Sequence, residues 1–331
     1  TQRLPRVIGA APALDMIVTG KPIKAEKGLA LSLVDELAEG DLVAAAVEFC
    51  GRLPAGDAAL RPTRARGDKM SEARGNESLF ADYRKSMARR ARGLEAPYAA
   101  VECVEASLGE DFDAGLSFER ETFKKLVVST QSEALRHAFF VERASTKIDG
   151  LAKDTAKQDI RRAAVIGCGT MGGGIAMNFA NAGIPVTVLE AEDSALQKGL
   201  DIIRGNYTAS VAKGRIAQDK MDGCMGLITG VTDYAELGEP DMVIEAIFEK
   251  MAVKKEVFAK LDAVCPPDTI LATNTSTLDV NEIAAATSRP EKVIGTHFFS
   301  PANIMRLQEN VRGAKTSDET IASTMALAKK L

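Results

Sequence analysis

The sequence has no apolar run long enough to span a membrane, and its five cysteines are scattered without the spacing of metal ligands. The odd number of cysteines also argues against a disulfide framework, so a reducing compartment, the cytoplasm, fits best. The chain lacks the excess of positive charge that is typical of nucleic-acid binders, because 42 basic and 46 acidic residues give a net charge of −4. The rest of the composition is that of an ordinary soluble globular protein. We therefore expect no membrane span, no nucleic-acid partner and no metal site.

We interpret both ends of the chain as truncation points. The chain begins at Thr1 without a signal-peptide pattern, and it ends at Leu331 inside a predicted helix. The final Lys-Lys-Leu resembles a peroxisomal address, except that Lys329 stands where that signal has a small residue. We interpret the chain as a fragment of a longer protein.

A glycine motif organises the second half of the chain. It is Gly-x-Gly-x-x-Gly, with Gly167, Gly169 and Gly172, between a predicted strand at 163–166 and a predicted helix at 171–182. In such a turn the first glycine permits a tight bend, and the second lets the backbone approach a pyrophosphate. The third allows the helix to pack closely on the strand. The helix start also favours phosphate, because its N–H groups lack intrahelical partners. A βαβ turn that binds no nucleotide is the alternative interpretation.

An acidic residue indicates which dinucleotide would bind. Glu190 ends the next predicted strand, at 185–189, and lies eighteen residues after Gly172. A carboxylate at that distance can accept a hydrogen bond from a ribose 2′-OH and would repel a 2′-phosphate. The motif therefore predicts NAD rather than NADP.

The element pattern divides the chain into three segments. Residues 1–53 are predicted to form short helices separated by turns, and residues 54–159 a helical linker; from residue 160 onward strands and helices alternate. The alternation predicts an α/β fold, a Rossmann-type doubly wound parallel sheet, preceded by a mainly helical segment. The further predicted strands cover 241–247, 269–273 and 292–296, and residues 33–36 are predicted to be extended. The predicted helices cover 12–18, 25–31, 41–53 (with Asp41 as N-cap), 98–108, 116–128, 131–144, 193–213, 217–225, 253–264 and 318–331. We interpret His137, in the helix at 131–144, as a packed histidine, because no second metal ligand lies near it.

Residues 61–92 carry a local excess of positive charge, with ten basic and four acidic residues. A solvated linker with an exposed helix face near 83–92 explains this excess most simply. A basic surface that faces an anionic ligand or partner is the alternative.

Three polar clusters, at 245–254, 274–276 and 297–301, follow predicted strands, and ligands of such sheets bind at the carboxyl ends of the strands. His297, one of two histidines in the chain, can take a hydroxyl proton while a hydride leaves the adjoining carbon. Such a base needs a carboxylate to fix its tautomer, and Glu309 follows after enough chain for an out-and-back return. A structural role for His297 is the alternative.

These motifs resemble those of a known family. Gly-x-Gly-x-x-Gly, Val-Ile-Glu-Ala-Ile-x-Glu, Asn-Thr-Ser-x-Leu and His-Phe-Phe-Ser-Pro, followed by Met-Arg-Leu-x-Glu, resemble the NAD-binding domain of L-3-hydroxyacyl-CoA dehydrogenases. Residues 1–6 and 19–29 resemble the C-terminal end of an enoyl-CoA hydratase (crotonase) domain. Residues 131–143 resemble the connector between these domains in bifunctional fatty-acid β-oxidation enzymes. The resemblance covers nearly the whole chain and implies NAD-dependent oxidation of L-3-hydroxyacyl-CoA to 3-ketoacyl-CoA.

By position, the resemblance also implies roles for single residues. His297 would be the general base, Glu309 its orienting partner, and Ser276 a hydrogen-bond partner of the substrate oxygen or the nicotinamide region. The implied cofactor-binding residues are Gly167, Gly169, Thr170, Met171, Gly172 and Glu190, together with Glu249, Lys254 and Asn274 near the nicotinamide ribose. Gln308 and Asn310 depart from the family, which has apolar residues there, and each would cost about 1–3 kcal/mol if buried without a partner.

The resemblance further implies what would lie outside the chain. The two hydratase glutamates would precede Thr1, and the helical domain that closes the acyl-CoA site and carries dimer contacts would follow Leu331. The implied substrate is an acyl-CoA, the implied partners are a thiolase subunit and a second copy, and a eukaryotic protein could be peroxisomal. Two alternatives remain: a β-hydroxyacid dehydrogenase, whose acid/base is a lysine, and a non-catalytic NAD-binding module.

Overall fold

The computed structural model describes residues 1–53, 62–76, 78–109, 111–152 and 154–331. The described chain divides into two compact units, Thr1–Ser145 and Thr146–Leu331. Residue 61, where the basic stretch begins, and residue 77 within it lie outside the described residues. Among the residues that are described, no helix combines the length and the apolar character that a membrane crossing would need.

The first unit consists of helices and turns over its described residues. The helices are α1 (Leu4–Ile8), α2 (Ala10–Thr19), α3 (Ala25–Ala30), α4 (Leu42–Arg52), α5 (Ser71–Arg74), α6 (Leu79–Met87), α7 (Ala96–Ala106), α8 (Phe112–Val127) and α9 (Thr130–Ala144). The carboxylate of Asp41 accepts hydrogen bonds from the N–H groups of Val43 and Ala44, so the predicted N-cap of α4 is confirmed. The core of this unit holds Leu14 of α2 and Val101 of α7.

Of the helices α5 and α6, which both lie within the basic stretch, α6 is the longer, and it has two faces. Phe80 and Met87 are buried in the core of the unit, whereas Lys85 is exposed. Arg84 forms an ion pair with Glu105. The predicted exposed helix face is therefore present only up to Met87, with an apolar face behind it, whereas residues 88–92 form turns.

Two predictions for this unit are wrong. Residues 33–36 are not extended but follow α3 as bends and irregular chain. The N–H of Leu33 donates to the carbonyl of Gly28 at 2.9 Å, and Ser32 has a φ of 60°, so the chain turns back over the end of α3. His137 is not packed, because α9 buries none of its described residues and the histidine lies on its exposed surface.

The second unit is a sheet with helices on both faces. Its elements are β1 (Ala163–Ile166), α10 (Thr170–Asn181), β2 (Val186–Leu189), α11 (Asp193–Ala212), α12 (Gln218–Gly226), β3 (Ile228–Val231), β4 (Met242–Glu245), α13 (Met251–Val264), β5 (Ile270–Thr273), α14 (Val280–Ala284), β6 (Val293–Phe298), β7 (Gln308–Arg312) and α15 (Asp318–Lys330). Within the described residues the strand order is β3-β2-β1-β4-β5-β6-β7. Strands β1 to β6 pair in parallel, and β7 pairs antiparallel with β6. The predicted doubly wound fold is confirmed, with one antiparallel edge strand added.

Alternate side chains of the central strands enter two different cores. Val165 of β1 and Ile244 of β4 lie in one hydrophobic cluster, and Ile166 and Val243 lie in the other. All four residues of β1 and of β4 are buried, which explains why both strands are apolar apart from Glu245 at the end of β4. From β1 the strands that follow in the chain are added first on one side of the sheet (β2, β3) and then on the other (β4 onward), so β1 and β4 form a switch point. Ligands of such sheets bind at that point.

Candidate active site

The glycine loop joins β1 to α10 at this switch point. Gly167 has a φ of 98°, and a Cβ there would lie 2.9 Å from the carbonyl oxygen of Ala246, which follows β4. A Cβ at Gly172 would lie 1.9 Å from the carbonyl oxygen of Gly167. Only glycine fits these two positions, so the sequence motif corresponds to a loop packed tightly against its own helix and against β4.

Gly169 differs from the other two glycines, because a Cβ there would meet nothing within 4 Å. It is the N-cap of α10, and having no side chain it cannot cap the first N–H groups of the helix. Thr170 and Met171 form the start of α10; Thr170 is exposed and Met171 is half-buried. Open space beside uncapped N–H groups suits a pyrophosphate, so the loop fits a dinucleotide.

Glu190 lies at the end of β2, beside the glycine loop. Its Oε2 accepts a hydrogen bond from the N–H of Cys168 at 2.9 Å, and its Oε1 accepts one from the N–H of Ala191 at 3.0 Å. The loop residue Cys168 also packs against Gly199 of α11, and a Cβ at Gly199 would overlap the Cys168 sulfur. Burial raises the pKa of the Cys168 thiol to about 11, with the Glu190 charge adding to the effect, so this cysteine is a packing residue.

His297 and Glu309 face each other across the pair of strands at the sheet edge. They are directly opposite in the antiparallel register of β6 and β7, and the His297 Nδ1 lies 2.9 Å from the Glu309 Oε2. Since a carboxylate can only accept, Nδ1 donates this hydrogen bond, so that in the neutral imidazole Nε2 is the nitrogen that can accept a proton. The ring of Phe299 packs against the imidazole, with centroids 4.7 Å apart. This arrangement is that of an oriented general base.

Asn274 connects the ends of three neighbouring strands. Its N–H donates to the carbonyl of Glu245 at the end of β4, and its Oδ1 accepts from the N–H of Phe298 at 2.8 Å. Because Phe298 follows His297 directly, Asn274 holds the end of β6 in register with β5.

Glu249 is tied to the turn after β5. Its Oε1 accepts hydrogen bonds from the Thr275 hydroxyl at 2.5 Å and from the N–H of Ser276 at 2.9 Å. The Ser276 hydroxyl, which is exposed, lies 3.4 Å from the same oxygen. Burial alone would raise the pKa of Glu249, but these hydrogen bonds, a further N–H from Thr277 and the Lys254 charge outweigh it and lower the pKa to about 2.

Lys254 lies beneath this turn. Its side chain is 1% exposed, and its Nζ lies 2.7 Å from the Glu245 Oε1 and 3.3 Å from the Glu249 Oε2. Glu245 is fully buried and also accepts a hydrogen bond from the Thr273 hydroxyl at 2.7 Å.

Gln308 and Asn310, the polar residues of β7, have partners. The Gln308 amide donates to the Asn310 Oδ1 at 2.6 Å, and the Asn310 amide lies 3.0 Å from the Met325 sulfur of α15. Both residues are half-buried, because β7 is an edge strand. They therefore avoid the cost of an unpartnered buried amide.

The comparison with protein families identifies the second unit. Residues 162–331 match the family described as 3-hydroxyacyl-CoA dehydrogenase, NAD binding domain. The chain belongs to this family. Its cofactor is NAD, in agreement with the glycine loop and Glu190.

Curated relatives match over the entire chain. It is 38% identical over 337 residues to the peroxisomal bifunctional enzyme of Cavia porcellus and 35% identical over 333 residues to the peroxisomal fatty acid beta-oxidation multifunctional protein AIM1 of Arabidopsis thaliana. In both cases the alignment covers 100% of this chain and 46% of the relative, so the chain spans about half the length of these relatives. Among solved structures, the 3-hydroxybutyryl-CoA dehydrogenase of Escherichia coli K12 is 38% identical, with a TM-score of 0.51, over 52% of this chain and 37% of that chain.

The structure brings into the candidate site three residues to which the sequence analysis assigned no individual role. Glu245 partners Lys254, Thr275 donates to Glu249, and Phe299 packs on His297. All three lie in the polar clusters that follow the predicted strands, and Glu245 carries a further signal, since a carboxylate that ends an otherwise apolar buried strand requires a cation nearby.

The low pKa of Glu249 predicts a pH-dependent contribution to stability. A carboxyl whose pKa is lowered from 4.5 to about 2 on folding stabilises the folded state above pH 4.5, and this contribution is lost as the pH falls towards 2. The difference in free energy of unfolding between the wild type and Glu249→Gln should therefore shrink between pH 5 and pH 3 in urea titrations. A difference that stays constant over that range would contradict the assignment.

Proposed function

We propose that this chain provides the NAD-binding and proton-abstracting part of an L-3-hydroxyacyl-CoA dehydrogenase of fatty-acid β-oxidation. The observation that carries the proposal is the His297–Glu309 pair, with Nδ1 and Oε2 2.9 Å apart, at the carboxyl end of β6. In this site, bound NAD would supply the acceptor for the hydride that leaves C3 of the substrate. His297 takes the proton of the C3 hydroxyl at Nε2, and Glu309 stabilises the imidazolium that forms.

The remaining residues bind and orient. The glycine loop and the start of α10 hold the pyrophosphate, Glu190 accepts from the adenosine ribose, and Asn274 and Glu249 lie on the nicotinamide side. The Ser276 hydroxyl donates to the substrate oxygen, on which negative charge develops. A lysine-based β-hydroxyacid dehydrogenase fits less well, because the buried Lys254 pairs with two carboxylates.

The proposal also covers the first half of the chain and its place in a longer, bifunctional protein. Residues 1–53 correspond to the C-terminal end of a hydratase domain and residues 54–159 to a linker, in a bifunctional protein whose substrate is an acyl-CoA. A thiolase subunit and a second copy are the proposed partners. The cysteine pattern favours the cytoplasm, and the names of the relatives support a peroxisome instead.

Acetoacetyl-CoA-dependent oxidation of NADH by the complete protein tests the proposed activity. Turnover that requires both molecules supports a dehydrogenase, whereas NADH binding without turnover supports the non-catalytic module.

Cofactor selection gives a second test. The chain is expected to bind NADH more tightly than NADPH, because the Glu190 carboxylate repels a 2′-phosphate, and Glu190→Gln should narrow that preference by about tenfold. Fluorescence titration of both nucleotides measures the two affinities. Glu192→Gln, an exposed glutamate two residues further along, is the matched control and should leave the preference unchanged. Equal binding of NADH and NADPH by the wild type would refute the role of Glu190.

A further inference from the structure

Apolar side chains flank the Glu309 carboxylate on its own strand. Alternate residues of an extended chain lie on the same face, so Val311 in β7 and Leu307, directly before the first residue of β7, share the face of Glu309. These two apolar residues are 45% and 53% exposed. A solvent-facing position of an antiparallel strand is ordinarily polar, so the apolar side chains beside the carboxylate call for a partner.

The facing strand β6 is apolar on the same face. Phe299 follows His297 by two residues, and the centroid of its ring lies 4.7 Å from that of the imidazole. The register that pairs Phe298 with Gln308 continues to Phe299 and Leu307, which brings these two side by side beyond the imidazole. Two residues of strand span about 7 Å, so Leu307 lies within reach of an alkyl chain attached to the carbon that His297 serves.

The apolar face is closed at the Val311 end. Gly295 of β6 pairs with Val311 of β7. A Cβ at Gly295 would lie 3.0 Å from the Val311 Cβ and 3.2 Å from the Cγ2 of Val280 in α14. These two valines already cover β6 here, so a ligand that extended from His297 in this direction would be blocked.

The opposite end is open. The loop from β6 to β7 continues the apolar surface with Ile304 and Met305, which are 68% and 46% exposed. This loop is held in place, because the side-chain amide of Asn178 in α10 donates to the carbonyl of Ala302 at 3.0 Å. Ile304, Met305 and Leu307 form an exposed apolar surface next to the base, which we call the β6–β7 loop surface. Exposed apolar surface of this kind is typical of binding sites.

We propose that the β6–β7 loop surface binds the acyl chain of the substrate beyond C3, and that Leu307 makes the first contact with it. The inference rests on the proposed function, which places the C3 hydroxyl at the Nε2 of His297. The alkyl chain attached to C3 is apolar and has to leave the base at one end of this face, of which the Leu307 end is the open one. The surface therefore selects for acyl chains of more than four carbons, because a four-carbon chain ends at C4.

A series of 3-ketoacyl-CoA substrates with four, six, eight and ten carbons tests the proposal in the complete protein. Steady-state oxidation of NADH gives kcat/KM for each substrate, and for the wild type this value should rise with chain length, because each buried methylene group adds favourable transfer free energy. Leu307→Asn keeps the approximate size of the side chain but makes it polar. It should lower the ratio of kcat/KM for the ten-carbon substrate to that for the four-carbon substrate by about tenfold, the effect of about two methylene groups.

The ratio cancels any loss that the variant causes with both substrates alike, including a loss from impaired folding. The matched control is Val264→Thr, which also replaces an apolar side chain by a polar one of similar size. Val264 is 44% exposed and is the last residue of α13, which precedes the amino end of β5 and so lies at the opposite edge of the sheet. Its ratio should equal that of the wild type.

The outcomes separate the inference from the function on which it rests. A wild-type kcat/KM that is independent of chain length, or a Leu307→Asn ratio equal to the wild-type ratio, would overturn the role of the surface while the dehydrogenase function stands. In the second case the surface would contact another part of the complete protein instead. Absence of turnover with every substrate would overturn the proposed function, and the inference with it.

Discussion

His297→Gln in the complete protein is expected to lower kcat for NADH oxidation with acetoacetyl-CoA by about 10²–10⁴-fold, the usual contribution of a general acid–base residue. Glutamine approximates the size of the imidazole, and its amide N–H can still donate to the Glu309 carboxylate, so the fold and the cofactor site should persist. NADH affinity should change little, because no atom of His297 belongs to the glycine loop. Steady-state kinetics and an NADH titration on the same preparation measure the two effects.

The chain has a matched control for this variant. His137, the other of its two histidines, is exposed on α9, and His137→Gln should have wild-type kinetics. Glu309→Gln should give a smaller loss than His297→Gln, since the imidazole stays but loses the carboxylate that orients it. A His297→Gln protein with the wild-type kcat would disprove the assignment of the base.

Gly172→Ala is expected to destabilise the second unit by about 3 kcal/mol, because the new Cβ overlaps the Gly167 carbonyl and the helix must move off the strand. The ideal Cβ position lies only 1.9 Å from that oxygen, and the obstacle is backbone, which cannot rotate away. Thermal unfolding should show the loss directly.

Two other glycine variants separate stability from binding. Gly205→Ala, in the middle of α11 where a Cβ meets nothing within 4 Å, should stabilise the chain by about 0.4–1 kcal/mol. Gly169→Ala should fold normally but weaken NADH binding by about tenfold or more, because its methyl group stands where a phosphate approaches the helix start. If Gly169→Ala bound NADH normally, the pyrophosphate would have to lie elsewhere.

Local patterns were sufficient for most elements of the second unit. The strand at 163–166 was predicted with the bounds that the structure has, because an uninterrupted apolar run marks a strand that is buried on both faces. The helix that begins at Asp193 was also predicted with the correct first residue. The strand Ile228–Val231 and the short helix Val280–Ala284 were not predicted. Ile228–Val231 is only partly buried, and its Gly230 weakens any strand pattern.

The two wrong predictions concern positions whose structure depends on contacts, or on the lack of contacts, with other parts of the chain. The extended piece predicted at 33–36 carries two apolar residues, but the turn at Ser32 redirects the chain. His137 was interpreted as a packed histidine because no second metal ligand lies near it in the sequence, yet it is exposed, and the neighbouring Phe139 and Phe140 are exposed as well. An apolar side chain in a helix does not determine which partner covers it.

The glycine loop, the acidic residue after β2 and the histidine after β6 could be located from local sequence, because each follows a strand whose apolar run is visible there. How these residues combine depends on contacts between distant parts of the chain. The opposition of His297 and Glu309 depends on the register of β6 and β7, and a shift of one residue would turn Glu309 to the other face of the sheet. The burial of Glu245 and Lys254 depends on the packing of α13 against the strand ends, which no local pattern encodes.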